Sequence, residues 1–578
     1  MTKKDYFIPR MFYRLLVPSV VSSLGFALAD MADALVVGQK LGEVGLAAIS
    51  LCLPIFMLIN LFMDGFGIGG SVMFSQKLGE GNIDKARDCF NRTWTVTLLF
   101  GIFIAVGVNL FIEPCLNLLG TRQSDGEVYF ACKEYVRIIS AGAPLLMLNV
   151  VFSNFLRNDN NAKLASAGFL IGNATDIILN ILFVLFFNFG TKGAALSTVI
   201  GSAVAIAIYS FGIVGKKADT LKIKSFSINL AETFGYFKTG FSTSVRNIFQ
   251  LIFFLIINRL LMENSGENGV AIFDVVFNVS FFIIYIYNGI SEAAQPLIST
   301  FTGENNESDC KYVFKLSKIS ALISGALVTV LIMFNAESVS AFFGISENLM
   351  PESGMAIRIY FLGFAFSALN VVGEKYYQSK DEFAPSFFIV LMREFVVLIA
   401  CAVLFSKLNF SAIWFMYPVT ELVTYILFKI FYHLTKKSNN EFDENRILRI
   451  TIENSESNME TVLSDSSEFC KKWNSDAKQE YAVLLVIEEI CMSIMRNAMK
   501  DISNGKIRIT LLALENGDFV LNILDNAVEF NPFSFKTNKI NSENDFDIDE
   551  ISMTMIKNKA KKFMYRKCSG FNSLVIQI

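Results

Sequence analysis

The run LLVPSVVSSLGFALADMADALVV, residues 15–37, is apolar over the length of a membrane span, yet it contains two acids, Asp30 and Asp33. About 20 apolar residues in a helix cross the hydrocarbon core of a bilayer. On insertion scales, a carboxylate near the centre of such a helix costs about 2.5 to 3.5 kcal/mol. The stretch therefore predicts a membrane helix whose acids have a function, although Asp33 could instead pair with a buried donor and fix helix packing.

The composition of the whole chain supports this interpretation. Of 578 residues, 53% are hydrophobic and only 18% are charged, and the mean hydropathy is +0.47. Nine cysteines without a CxxC pair and a single histidine, His433, argue against structural zinc and a disulfide framework. The net charge of -3 gives no indication of a nucleic-acid partner. We expect an integral membrane protein.

Apolar runs of about 20 residues predict twelve transmembrane helices. Their expected starts lie near residues 11, 46, 93, 136, 164, 193, 240, 270, 312, 356, 385 and 410. Basic residues concentrate on alternate loops, so the positive-inside rule predicts a multi-pass protein of the cell membrane with both termini in the cytoplasm.

The first six predicted helices resemble the second six. Eight positions recur at an offset of 224 residues. The first members of these pairs are Gly42, Glu43, Gly45, Ala47, Gly65, Gly79, Glu80 and Asn82. Because six is an even number, both halves insert in the same orientation, and a solute cavity is expected between them at mid-membrane. The expected units are an N-terminal lobe, residues 1–225, and a C-terminal lobe, residues 226–435.

Four motifs on this frame resemble the multidrug and toxic compound extrusion (MATE) family. They are the opening stretch extended to residue 50, FLRNDNNAKLAS at 155–166, GAALSTVIGSAVA at 193–205 and GISEAAQPLISTFTGENN at 289–306. The resemblance covers roughly residues 10–435. It implies secondary transport, which requires no cofactor.

The resemblance also implies a cation or proton site in the N-terminal half. Its members here are Asp33, Asp176, Asn180 and Thr198. Asp176 and Asn180 stand one helical turn apart and share a face, and all four supply hard oxygen ligands that suit sodium. In the family, Asn more often precedes Asp at these two positions, whereas here Asp176 precedes Asn180. The site is expected to exchange protons or to hold Na⁺.

Further polar residues fall inside predicted helices. Candidates for substrate binding or a gate are Asp30, Glu292, Glu374, Arg393 and Glu421. Arg393 is expected to pair with Glu374 or Glu421, in a network that is either structural or a gate.

After residue 435 the pattern changes to a polar linker, residues 436–445, and a cytoplasmic α+β domain, residues 446–578. Strands are predicted at 446–453, 506–514, 519–526 and 572–578, helices at 456–473, 476–499 and 549–563, and a hairpin turn at Asn516 and Gly517. The fold class is thus an all-α membrane protein of two six-helix repeats with an appended α+β domain.

The segments LLVIEEICMSIMRNAM and LNILDNAVEFNPF resemble the histidine-kinase-like ATPase fold, in its anti-sigma-factor kinase form. The resemblance implies that Glu489 is the catalytic base, that Ser493 stands at the position of the magnesium-binding Asn, and that Asp525 binds adenine. Ala527 stands where the family has a glycine, and residues 533–569, where the family has a glycine-rich lid, contain no glycine. Glycine lets the backbone of such a lid lie close against phosphates. ATP and Mg²⁺ are possible ligands, with catalysis weakened or lost, so whether the chain is also an enzyme stays open.

Three functions follow. The first is an antiporter that exports cationic or amphipathic drug-like molecules in exchange for H⁺ or Na⁺, with a C-terminal domain that regulates transport and offers a site for a regulatory protein partner. The second is a flippase for a lipid-linked precursor, against which the lack of a basic cluster in the cavity argues weakly. The third is a membrane-anchored sensor or anti-sigma-like kinase.

Overall fold

The structure is a computed structural model that describes residues 6–215, 220–223, 227–343, 345–408, 410–435, 444–473, 475–500, 502, 504–533 and 548–578. The side chains of Asp30 and Asp33 lie outside this description. The helices of the N-terminal half are α1 (Phe7–Gly79), α2 (Ile83–Leu110), α3 (Ile112–Leu118), α4 (Glu127–Asn158), α5 (Ala162–Asn180) and α6 (Gly190–Val214). Those of the C-terminal half are α7 (Leu230–Gly303), α8 (Glu307–Phe334), α9 (Ala336–Phe342), α10 (Met350–Phe361), α11 (Phe364–Ser379), α12 (Phe383–Leu391), α13 (Val397–Ser406), α14 (Phe410–Ile413) and α15 (Met416–Thr435).

Among the described residues, ten helical stretches are long and apolar enough to cross a membrane. Helices α10 and α11, which meet at a 49° bend, together supply an eleventh. Helix α15 occupies the position of the twelfth predicted span, but it carries Glu421 and Lys429 and is less apolar. The chain is therefore a multi-pass, mostly helical membrane protein, and the count of twelve spans stays a prediction.

The two longest helices each contain two of these spans. Helix α1 includes the spans Phe7–Ala29 and Ala48–Gly79, and α7 includes Leu230–Gly266 and Asn268–Gly303. Gly266 breaks α7, with φ at +62° and ψ at -152°, a backbone conformation that glycine adopts without steric penalty.

Helices at corresponding places in the two halves have similar lengths. Helices α2 and α8 both contain 28 residues, and α3 and α9 both contain seven. Asn82 and Asn306, which are related by the predicted offset, both cap the helix that follows through their side chains. A π-helix interrupts the fifth span of each half, at Ile181–Phe186 and at Met392–Val396. These correspondences are those expected of a duplicated frame.

The C-terminal domain has five antiparallel strands in the order β1-β2-β3-β5-β4. The strands are β1 (Ile447–Glu453), β2 (Lys506–Ala513), β3 (Phe519–Asp525), β4 (Lys562–Cys568) and β5 (Phe571–Gln577), and the helices are α16 (Met459–Lys472), α17 (Ala477–Ala498) and α18 (Ile548–Lys559). Every residue of β3 is buried, because the helices cover one face of the sheet and the transmembrane part covers the other. Residues 436–443 of the predicted linker lie outside the described residues.

The predicted strands and helices of this domain are present, with one correction. The segment 562–568 was not predicted as a strand, and the helix expected to end at residue 563 ends at Lys559. Lys562, Arg566 and Lys567 obscure the hydrophobic alternation of β4. The strand lies at the edge of the sheet, where charged side chains are common.

Candidate functional site

A cavity of about 380 Å³ lies between the two halves of the membrane part, and both halves line it. Its charged lining residues are Asp64, Arg157, Arg246, Glu292, Lys375, Arg393, Glu394 and Glu421. A described cavity thus lies where the repeat predicted one, although its lining is more charged than the sequence suggested. Sequence reasoning missed Asp64, Arg246 and Lys375 as cavity residues.

An ion-pair network occupies the C-terminal side of the cavity. Arg246 Nη2 donates to both oxygens of Glu374, at 2.6 and 2.5 Å, and its Nε lies 3.7 Å from Glu394. Arg393 Nε donates to Glu421 at 2.7 Å. The expected pair of Arg393 with Glu421 is therefore present, whereas Glu374 pairs with Arg246. The π-helix carries Arg393 and Glu394, and such irregular turns are frequent at functional positions.

An ion pair at the cavity joins the two halves of the chain. Arg157 on α4 donates to Glu292 on α7 at 2.6 Å, and the side chain of Arg157 is 6% exposed. Nearby, Gln295 donates to the Ser71 hydroxyl at 3.1 Å. Glu292, which was predicted as a substrate or gate residue, thus lines the cavity and connects α4 to α7.

Asp64 differs from the other acids of the cavity. Among the described residues, no hydrogen bond or direct ion pair to its carboxylate occurs, although the charges of Lys375, Arg246 and Glu292 lie close enough to interact with it. Lys375 is engaged elsewhere, with Gln378 at 3.2 Å and Glu374 at 3.6 Å. The sequence did contain a signal for this residue, since Asp64 is the acid within the apolar run 48–76.

Aromatic rings form another part of the cavity wall. Phe26 lies 5.8 Å from Phe169 and 5.7 Å from Tyr285, measured between ring centroids. Phe277 and Phe281 pack edge to face at 4.5 Å. The cavity therefore offers both charges and apolar rings, a combination that suits an amphipathic solute.

The predicted N-terminal site is separate from this cavity. Asp176 and Asn180 are buried on α5, and the π-helix Ile181–Phe186 follows them directly. Thr198 on α6 is half-buried and donates to the Ala194 carbonyl at 3.1 Å. A Cβ on Gly201, three residues later, would lie 2.9 Å from the Asp176 Cβ, so α5 and α6 touch at this point. None of these residues lines the cavity, and the predicted contributions of Asp30 and Asp33 lie outside the described residues.

The nucleotide motifs of the C-terminal domain are incomplete. On α17, Glu489 is half-buried, and Ser493 is buried and accepts a hydrogen bond from Asn497 at 3.4 Å. The resemblance requires an acid followed four residues later by Asn. Four residues after the acid Glu489 stands Ser493 instead of Asn. Asn497 also lacks the acid, because Ser493 stands four residues before it. Ser493 therefore offers a hydroxyl oxygen in place of an amide oxygen at the position that the resemblance assigns to magnesium.

The predicted adenine-binding acid lies at the end of β3. Asp525 Oδ1 accepts hydrogen bonds from the Asn572 side chain at 2.7 Å and from the Ala527 backbone N–H at 2.9 Å. Burial raises the pKa of Asp525 to about 6, although these two hydrogen bonds act in the opposite direction. An acceptor held in this way suits an amino group as a ligand. Residues 534–547 of the segment that should cover it lie outside the described residues.

Comparison with protein families identifies both parts of the chain. The MatE family model matches residues 18–182 and 242–404, together more than half of the chain. The chain belongs to the MATE family. A second model, the histidine kinase-like ATPase domain, matches residues 452–578. The protein is thus a member of the MATE family fused to a histidine-kinase-like ATPase domain.

Individual MATE relatives are distant in sequence. The probable multidrug resistance protein YoeA of Bacillus subtilis is 22% identical over 434 residues, which cover 73% of this chain and 93% of the relative. The multidrug export protein MepA of Staphylococcus saprophyticus is 23% identical and covers 62% and 78% of the two chains. An FAD transporter of Shewanella oneidensis is 22% identical and covers 63% and 80%.

Solved MATE structures share the fold. The crystal structure of MATE in complex with MaL6 has a TM-score of 0.70 at 22% identity, over 75% of this chain and 98% of that chain. A MOP superfamily transporter from Pyrococcus furiosus Vc1 has a TM-score of 0.68 at 22% identity, over the same shares.

Proposed function

We propose that the chain is an antiporter that exports charged amphipathic molecules in exchange for H⁺ or Na⁺. The observation that carries the proposal is the cavity between the two halves, with its charged network, its aromatic wall and the carboxylate of Asp64. A charge that moves through a potential of 100 mV gains about 2.3 kcal/mol. Exchange of one cation can therefore drive an export step of similar size.

The two halves also meet between the cavity and the C-terminal domain, at a contact that bears on alternating access. On the side of the C-terminal domain, a Cβ on Gly79 would lie 2.1 Å from the Thr300 carbonyl oxygen, and one on Gly303 would lie 2.0 Å from that of Gln76. Only glycine permits this approach, in which the backbones of the two halves touch. This contact must separate and reform if the halves rock.

The N-terminal acids are the proposed coupling site. Ser166 on α5 donates to the Pro18 carbonyl on α1 at 3.0 Å, and Gly25 packs against Leu170 further along both helices. Helices α1 and α5 therefore run in the same direction, and the proposal places the part of α1 beyond residue 29 beside the part of α5 that carries Asp176. This neighbourhood supports a site shared by Asp33, Asp176, Asn180 and Thr198 that binds H⁺ or Na⁺.

The class of solute follows from the lining. Two relatives are named for multidrug resistance or export, and a third is an FAD transporter. The Pyrococcus structure is described as having a binding pocket of reverse polarity, so charge varies among proteins of this fold. A cavity with both signs of charge beside aromatic rings favours amphipathic solutes that carry at least one charge.

Vesicles test this proposal. The purified protein is reconstituted, a cationic dye is loaded, and a proton or sodium gradient is imposed. We expect efflux to depend on one of the two gradients and to fall at least tenfold in Asp33→Asn. Asp84→Asn, which removes an acid whose side chain is 87% exposed, should leave efflux unchanged. Efflux that responds to neither gradient would contradict antiport.

Lipid flipping is a second candidate, and the structure strengthens one argument for it. Four basic side chains, Arg157, Arg246, Lys375 and Arg393, line the cavity, whereas the sequence suggested that it has no basic cluster. Guanidinium groups bind phosphates well, but each of these arginines already contacts an acid. Tighter binding of a lipid pyrophosphate than of a cationic dye would favour the flippase.

The C-terminal domain is proposed to regulate transport rather than to act as a kinase. Because the Asn expected to bind magnesium is replaced by Ser493, ATP should bind the full-length chain weakly and with an affinity that Mg²⁺ does not change. Asp525→Asn should lower ATP binding at least roughly tenfold, since a charged hydrogen bond contributes about 1.5 to 3 kcal/mol. Calorimetric titration with and without Mg²⁺ measures both effects. Strong Mg²⁺-dependent binding with phosphotransfer would instead support the sensor-kinase hypothesis.

A further inference from the structure

The sheet of the C-terminal domain covers the face of the membrane part where the two halves touch. Along β2, residues Ile507, Ile509 and Leu511 face the helices of the domain and belong to its core. The alternate residues of β2 and of β3 are also buried, although they lie on the opposite face. Among them, Arg508 contacts Asp309 in the first turn of α8, and Asn522 contacts Glu304 at the end of α7. The domain is therefore docked through the central strands of this face, whereas Thr451 and Glu453 of β1, on the same face, are exposed.

Two buried ion pairs lie at the centre of this interface. Arg508 on β2 donates to Asp309 at 2.6 Å, and the two side chains are 1% and 3% exposed. Arg566 on β4 donates to Glu304 at 2.9 Å, and Asn522 on β3 donates to the other oxygen of Glu304 at 2.6 Å. All these contacts join the domain to the C-terminal half of the transporter.

The same sheet also contacts the N-terminal half. The turn between β4 and β5 reaches the loop between α4 and α5, where the Ser569 N–H donates to Asn160 Oδ1 at 2.5 Å. Arg14 Nη1 on α1 donates to the Ser569 carbonyl at 2.9 Å. Phe571 packs against Phe7, with ring centroids 5.2 Å apart. The sheet thus contacts both halves of the membrane part, next to the close approach of the halves at Gly79 and Gly303. That approach must separate if the cavity is to open on the side of the C-terminal domain.

We propose that the C-terminal domain is a clamp: its sheet, held by the pairs of Arg508 with Asp309 and of Arg566 with Glu304, keeps the two halves together on this face. Release of the domain is then required before the cavity can open to this side. The clamp rests on the proposed alternation of the transporter between two open states. It gives the regulatory domain a mechanical role that requires no ATP hydrolysis.

The chemistry of the interface makes the clamp reversible. Burial raises the pKa of Glu304 to about 7. The charges of Arg566 and Arg508 act to lower this pKa, and the charge of Asp309 acts to raise it. Buried ions regain hydration when an interface opens, so a charged interface holds its partners less permanently than an apolar one of equal area. A ligand or partner that occupies the sheet can therefore compete with docking.

Distances between spin labels on the full-length chain test the clamp. One label pair, at Lys85 and Lys311, reports the separation of the halves from exposed positions near the starts of α2 and α8. A second pair, at Lys311 and Lys471, reports docking. Cys115 and Cys568, the cysteines that are partly exposed, are replaced by serine.

The test variant combines Arg508→Glu with Arg566→Glu, which sets like charges against Asp309 and Glu304. The matched control is Lys471→Glu, an exposed charge on α16, used with the first label pair.

We expect the double variant to lengthen the docking distance and to add a longer distance between the halves, with a rise of at least roughly tenfold in the ratio of open to closed populations. The control should match the unmodified chain. Two results would overturn the clamp: a domain that stays docked despite both reversals, or a released domain with an unchanged distance between the halves. Neither readout requires transport, so loss of efflux in every variant would count against the proposed antiport and not against the clamp.

Discussion

Replacing Glu374 by glutamine is expected to destabilise the transporter more than any other single change in the cavity. Arg246 would keep its charge in a largely buried position, with Glu394 at 3.7 Å as its remaining acidic partner. Removal of one member of a buried ion pair typically costs about 3 to 5 kcal/mol, because the other charge is left uncompensated. Heat-induced unfolding of the purified protein in detergent should therefore occur several degrees lower.

Two controls define this effect. Glu263→Gln removes an acid from the exposed pair with Arg259, whose side chains are 82% and 60% exposed, and should change stability by less than about 1 kcal/mol. The double variant Arg246→Gln/Glu374→Gln should recover much of the lost stability, because neither charge remains unpaired. A Glu374→Gln protein as stable as the unmodified one would show that the pair does not hold the helices together.

Replacing Asp64 by asparagine should abolish transport while leaving stability nearly unchanged. The substitution preserves size and removes a carboxylate that has no direct ion pair among the described residues, so the fold loses little. The charge near Lys375 and Arg246 disappears, however, and with it the group best able to gain and lose a cation inside the cavity. Gradient-driven efflux in vesicles should fall at least roughly tenfold.

The conservative change Asp64→Glu should retain part of the activity, because the carboxylate remains. As a matched control, Glu113→Gln removes an acid that pairs with Lys133 at the protein surface, with side chains 54% and 27% exposed, and should transport normally. Efflux by Asp64→Asn at the unmodified rate, with the same dependence on pH and sodium, would exclude Asp64 from both coupling and substrate binding.

The predicted site residues fared unequally, for identifiable reasons. Glu292, Arg393 and Glu421 line the cavity, because an ionisable residue inside an apolar run is confined to the interior of the bundle. Glu374 lies behind the lining, as the partner of Arg246. Asp64 is a single acid in its apolar run, whereas the first span carries two acids, Asp30 and Asp33, three residues apart. Arg246 was overlooked because it lies near the start of its span, where a basic residue commonly indicates a loop.

The sequence by itself determined that the membrane part is helical and multi-pass, and it determined four of the five described strands of the appended domain. The count of twelve spans and the duplication stay predictions. Hydropathy and the alternation of side chains are local properties, which every short segment carries whatever its neighbours are. The 224-residue offset is likewise a property of the chain. These signals sufficed for the fold class and the family.

Only the tertiary structure decided which charges meet. Arg246 and Glu374 are 128 residues apart, Arg157 and Glu292 are 135 apart, and Arg508 and Asp309 are 199 apart. Each pair depends on how helices or domains pack, and an ion finds its partner by distance in space rather than along the chain. In the sequence, Arg508 interrupts the apolar pattern of a strand. Its burial is explained by Asp309 of the membrane part, which lies 2.6 Å away.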